Sequence, residues 1–141
     1  MKKWILALCL GAISSLALAE VIVTDATVRE ILPGRNMTAG YFSISNKNNV
    51  AAELTGASSP LFGSIELHRT SFKDGMMSMQ QVESVVIKAG DQIRFLPGGL
   101  HLMMFDVKGS IKRGQQIPLR FTFKDGQSIE VQASVSAIGT H

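Results

Sequence analysis

Ile117-Pro118-Leu119-Arg120-Phe121-Thr122-Phe123, Lys124-Asp125-Gly126-Gln127 and Ser128-Ile129-Glu130-Val131-Gln132-Ala133-Ser134-Val135 run on from one another near the end of the chain, and their reading decides the fold. Leu119, Phe121 and Phe123 fall on alternate positions, which puts them on one face of a strand. Asp125-Gly126 supplies the positive-φ position that a tight hairpin needs. Ser128 to Val135 then returns as the partner strand.

Working outward, the same grammar repeats. Val21 to Val28 is rich in β-formers, and Leu32-Pro33-Gly34-Arg35-Asn36 reads as a loop. Ala39 to Ser45 is a strand followed by the turn cluster Asn46-Lys47-Asn48-Asn49. Ala51 to Gly56 and Ser64 to Arg69 are the next strands, separated by Ser58-Ser59-Pro60. Met76 to Ile87 has room for one strand or two. Lys88-Ala89-Gly90-Asp91 turns the chain into Gln92 to Leu96, and Pro97-Gly98-Gly99 turns it into Leu100 to Val107. No segment sustains helical periodicity, and no repeat or linker divides the chain. Short strands with a turn about every ten residues indicate one all-β domain, a two-sheet sandwich or a barrel.

The start of the chain stands apart. Lys2 and Lys3 precede an apolar run from Trp4 to Leu18, which closes on Ala17-Leu18-Ala19. This is the pattern of a cleaved secretory signal, so residues 1–19 are expected to be removed and residues 20–141 to form the single domain. The lone cysteine, Cys9, falls inside the signal, and Leu8 stands before it where a lipoprotein signal has a small residue. The mature chain is therefore expected without thiols or disulfides, in the periplasm, and without membrane insertion.

Of the net charge of +3, two units leave with Lys2 and Lys3, which brings the 14 basic residues to 12 against 11 acidic ones. A net charge of +1 with no basic stripe and no aromatic series argues against nucleic acid as a partner.

The unusual feature is sulfur without thiol. Of the seven methionines, five fall between positions 76 and 104: Met76, Met77, Met79, Met103 and Met104. His68 and His101 flank or enter the same window. In a strand, residues i and i+2 share a face, so His101 and Met103 stand side by side with Leu102 turned away, and Met77 and Met79 bear the same relation. Thioether is a soft donor that favours Cu(I), whereas Zn(II) prefers imidazole, thiolate and carboxylate, and Ca(II) and Mg(II) require oxygen. Without a cysteine the site is no ordinary blue-copper centre. Methionine is also an adaptable core filler, and isolated histidines usually serve as surface or hydrogen-bonded residues. Met76 and Met77 beside the turn Asp74-Gly75 are least suited to filling a core. Glu66 and Asp106 lie near enough in sequence to orient an imidazole, but solvated surface charge is the preferred reading of both. No catalytic cysteine, nucleophile elbow or phosphate-binding glycine loop occurs, so an enzyme is not expected.

The pattern His68, ten residues, Met79, twenty-one residues, His101-Leu102-Met103 resembles the PCuAC family of periplasmic copper chaperones, which serve the CuA centre of cytochrome c oxidase. The flanking segments are similar too: Thr38-Ala39-Gly40-Tyr41-Phe42 with Asn46, Asp74-Gly75-Met76-Met77-Ser78-Met79, and Leu96-Pro97-Gly98-Gly99-Leu100-His101-Leu102-Met103. The resemblance implies a cupredoxin-like β-sandwich of Greek-key type and a solvent-near site for one Cu(I) built from His68, Met79, His101 and Met103. It further implies a chaperone that passes copper to a membrane oxidase's copper domain or to another assembly factor, and the chain is expected to act as a monomer. The alternative is copper sequestration for tolerance, with no dedicated acceptor. Met104 stands where the family often has leucine and is read as packing or as a spare ligand. Some members carry a His- and Met-rich tail thought to hold Cu(II); this chain ends Ile138-Gly139-Thr140-His141, with one histidine.

Overall fold

A computed structural model describes residues 20–137. The expected signal segment and His141 lie outside the described residues. Ten strands follow in order: β1 (Val21–Arg29), β2 (Thr38–Asn46), β3 (Ala52–Ser58), β4 (Phe62–Lys73), β5 (Met76–Gln81), β6 (Val85–Ile87), β7 (Gln92–Phe95), β8 (Leu100–Val107), β9 (Gln116–Phe123) and β10 (Ser128–Ser136).

The hairpin that decided the reading forms as β9 and β10, with Ile129 opposite Phe121. Its turn has Gly126 at φ +88°, and the Gly126 N–H donates to the Phe123 carbonyl at 3.0 Å. The Met76–Ile87 stretch resolves into two strands. β4 runs four residues beyond Arg69, because Asp74 (φ +54°) and Gly75 (φ +74°) close a two-residue turn straight into β5. Positive φ at both central positions is the twist-matched way to join two antiparallel strands, and it is why Asp-Gly sits there.

The hydrogen-bonded path runs β5-β4-β8-β2-β1-β10-β9-β3-β6, and β7 pairs with β2 off that path. β2 is shared between neighbours: Thr38 to Gly40 pair with β8, and Phe42 to Ser45 pair with β7. β1 pairs antiparallel with β2 and parallel with β10, and an irregularity between Thr24 and Thr27 with Asp25 at φ +55° bends it. Strands distant on this path meet over one core. Leu67 of β4 and Leu102 and Met104 of β8 belong to the same buried cluster as Leu54 of β3 and Leu119 and Phe121 of β9. Phe42 stacks on Phe95 at 4.1 Å and meets Phe121 at 4.5 Å. The chain is thus folded over itself as the cupredoxin-like β-sandwich that was expected.

Buried Asn46 ties the β2–β3 turn to β6. Its amide donates to the carbonyls of Val50 (2.8 Å) and Ile87 (3.0 Å), and its side-chain oxygen accepts from the Asn48 N–H. An amide buried with its donors and acceptor satisfied fixes geometry that an apolar side chain would leave loose.

Candidate metal centre

β5, β4 and β8 are adjacent antiparallel strands at one end of the sheet, and their register assembles the site. His68 stands directly opposite His101, Glu66 opposite Met103, and Thr70 opposite Met79. Residues facing each other across a ladder share a face, as do i and i+2 along a strand. His68, Met79, His101 and Met103 therefore project from the same side of three neighbouring strands. Met79, His101 and Met103 line one cleft of about 200 Å³, together with Met77, Thr70, Tyr41 and the turn residues Pro97 and Gly98. His68 does not form part of that wall. It lies on the same face against the His101 ring, with centroids 5.9 Å apart, and near the Phe105 ring at 6.3 Å.

Each imidazole is held by one nitrogen and unbonded at the other. His68 Nε2 is 2.8 Å from Glu66 Oε2, while its Nδ1 is buried without a partner. His101 Nδ1 is 3.1 Å from the Gly99 carbonyl, while its Nε2 is buried without a partner. The bonded nitrogens are the donors, since a carbonyl can only accept and a carboxylate does so when ionised. In a neutral ring held this way, the free nitrogen is the one that carries the lone pair. A buried acceptor without a partner costs about 1–3 kcal/mol, and a metal ion at that nitrogen removes the deficit. Orientation by a carboxylate or a backbone carbonyl is the usual support of a metal-binding histidine. The residues present thus fit a soft metal ion.

The turn before β8 sets His101. The Gly99 N–H donates to the Leu96 carbonyl at 3.0 Å, with Pro97 second and Gly98 third at φ +85°. Proline followed by a positive-φ glycine is the type II turn. The Gly99 carbonyl so presented accepts from His101 and also from the Thr70 N–H at 3.0 Å, which ties β8's entry to β4. His101 ends up 4% exposed, deeper than a shallow surface position, while Met79 on the edge strand is 54% exposed. Nitrogen lies at the floor of the cleft and sulfur at its rim.

Several sequence readings are sharpened here. Glu66 is no simple solvated charge, since it binds His68. Asp106 sits five residues along β8 from His101, exposed and packed beside Gly63, and orients no imidazole. Met104 is fully buried on the opposite face, and its Sδ lies 3.2 Å from where a Gly40 Cβ would stand, so it packs and does not line the cleft. Met76 projects opposite to Met77 and is 74% exposed. Sequence reasoning missed Tyr41 and Arg29, whose guanidinium lies 5.1 Å from the Tyr41 ring beside the cleft. Burial pushes the Tyr41 phenol above its ordinary 10.0, against the pull of Arg29, so it remains a neutral hydroxyl. Among the described residues no three of His, Cys, Asp and Glu gather to hold a metal ion. The soft donors that share this face with His68 and His101 are the thioethers of Met79 and Met103.

The profile of a family described as putative lipoprotein LpqE-like matches residues 21–135. A putative lipoprotein of Leifsonia xyli subsp. xyli is 34% identical over 103 residues, 72% of this chain and 62% of its own length. An uncharacterized protein of Rickettsia prowazekii is 30% identical over 100 residues, 70% of this chain and 55% of its own length. The chain thus spans less than two thirds of the length of these curated relatives. The Cu(I) solution structure of DR1885 from Deinococcus radiodurans is 30% identical, with a TM-score of 0.68, covering 85% of this chain and 80% of that one. A copper-bound PCuAC domain from PmoF2 shares the fold with a TM-score of 0.71 at 18% identity, covering 84% of this chain and 93% of that one. Among the described residues no helix is long and apolar enough to cross a membrane. With most of its length matched, this chain belongs to the LpqE-like family and has the fold of PCuAC domains.

Proposed function

We propose that this chain is an exported, periplasmic copper carrier. It holds one Cu(I) between His68 Nδ1, His101 Nε2 and the thioethers of Met79 and Met103, and delivers it to the copper centre of a respiratory oxidase or to an assembly factor of that oxidase. The observation that carries the reading is the pair of buried, unbonded imidazole nitrogens on the strand face that bears the thioethers. The donors are soft and neutral, which suits Cu(I) over Zn(II). Similarity to DR1885, whose structure was determined with Cu(I), supports the metal. The PCuAC resemblance supports the acceptor.

The mechanism follows from the donors. All four ligands are neutral, so copper enters and leaves with no change of charge at a donor atom. Sulfur at the rim is reached first by an incoming donor. Copper then passes by stepwise exchange: one Cu–S bond breaks as one bond to the acceptor forms, and the buried His101 lets go last. Copper stays Cu(I) throughout, and no electron moves. Among the described residues there is no cysteine, so no thiolate is present to be oxidised.

Two measurements test this. Anaerobic titration of the mature protein against a competing Cu(I) chelator is expected to give one ion per chain, with Zn(II) far weaker. A deletion strain at limiting copper is expected to lose oxidase activity and regain it with added copper. Normal oxidase activity with raised copper sensitivity would replace delivery by sequestration.

A further inference from the structure

Met77 is 62% exposed and lies two residues from Met79 on an uncharged edge strand, yet it lines the same cleft as Met79, His101 and Met103. It stands opposite Phe72, two pairs further toward the turn than the Thr70–Met79 pair. An exposed methionine on an edge strand gains little by burial, and the neighbouring Met76, more exposed still, faces away. Residues i and i+2 in a strand are about 6.5–7 Å apart, and methionine has three rotatable bonds between Cα and its thioether methyl. Both sulfurs can therefore swing to a common point above His101 and Met103.

From this we infer that Met77 is a fifth, exchange ligand: Cu(I) held through Met79 can be held through Met77 instead, and the metal leaves the cleft through that exchange. The inference rests on the copper-carrier reading above. In the step, the Cu–Sδ bond to Met79 breaks as the bond to Met77 forms. Both donors are neutral thioethers, copper stays Cu(I), and no proton or electron is transferred. Moving copper from Met79 to Met77, two residues nearer the Asp74-Gly75 turn, carries it away from the buried floor and toward solvent, where an acceptor's donor can reach it. β5 is an edge strand bonded on one side only, to β4, so its outer side is open to such an approach.

The test is a double-mutant cycle on the full mature chain, with Cu(I) affinity read by chelator competition and the transfer rate read to the same chelator. Met77→Leu is expected to leave the affinity unchanged and to slow transfer several-fold. Met79→Leu is expected to weaken binding by about a few-fold, less than the loss of His101 or Met103, because Met77 takes over as the thioether. Met77→Leu/Met79→Leu is expected to lose about tenfold or more beyond the product of the two single effects. Met76→Leu, adjacent but on the other face, is the control and is expected to change neither affinity nor rate. Leucine is close to methionine in volume, so these exposed positions keep the fold, which circular dichroism checks. Strictly additive single effects with an unaltered transfer rate in Met77→Leu would overturn the inference and leave the four-ligand site standing. Absence of stoichiometric Cu(I) binding by the unaltered protein would remove both.

Discussion

In the proposed site, His101 is the residue whose neighbours leave it one buried nitrogen to offer a metal. Its Nδ1 is committed to the Gly99 carbonyl, and its Nε2 is buried with nothing to bind. His68 is prepared in the mirror sense, through Nε2 and Glu66. The donor types were legible in the sequence, because His-x-Met needs only strand geometry to become two donors on one face. The supporting groups were not. A carboxylate two residues before a histidine is ordinarily a solvated charge, and strand geometry puts it on the same face without saying that it will bond the ring, as Glu66 does at 2.8 Å. A backbone carbonyl leaves no trace in sequence at all. The residue-scale expectation is that His101→Ala and Met103→Ala each weaken Cu(I) binding strongly, by about tenfold or more per lost donor. Met76→Leu and Met104→Leu are expected to change it little: Met104 is core, and a volume-conserving replacement there costs less than about 1.5 kcal/mol of stability. Chelator competition on the four variants checks this. Equal losses across all of them would mean a diffuse methionine cluster with no defined site.

Among elements, β8 was read with its bounds intact, since Pro97-Gly98-Gly99 punctuates its start and the apolar alternation carries it to Val107. β4 was read too short. Arg69, Thr70 and Ser71 look like the end of a strand, and only the positive φ of Asp74 and Gly75 reveals that the ladder continues to the turn. That extension matters, because it brings β5 and Met79 into register with Thr70, beside the histidines. The Pro97-Gly98 turn is the element on which His101 depends most. A Cβ at Gly98 would meet nothing within 4 Å, so the penalty of a side chain there is conformational, from φ +85°. Gly98→Ala is expected to lower stability by about 1–2 kcal/mol in urea unfolding. It is also expected to weaken Cu(I) binding, because the Gly99 carbonyl that aims His101 shifts. Loss of stability with full affinity would show that the turn supports the fold and not the ligand.

At the scale of the whole molecule, the sandwich separates two duties that one strand face could not perform together. Phe42, Phe95 and Phe121 stack within the core, and the opposite face of the same sheet is left to the donors. β8 shows the division residue by residue, with Leu102 and Met104 inward and His101 and Met103 on the cleft side. The binary alternation of the sequence therefore foretold the core and the placing of His101 and Met103 on the face away from it, while the branching of β2 between β7 and β8 was hidden in it. Cleavage of the signal is a separate expectation: the mature protein should begin at Glu20, and intact mass of the exported protein checks it. The central claim is that one copper ion bridges two histidines and two methionines across β5, β4 and β8. X-ray absorption at the copper edge of the singly Cu(I)-loaded mature protein tests that claim most directly. The predicted shell contains both imidazole nitrogen and thioether sulfur, two of each; a shell of nitrogen and oxygen alone would contradict it.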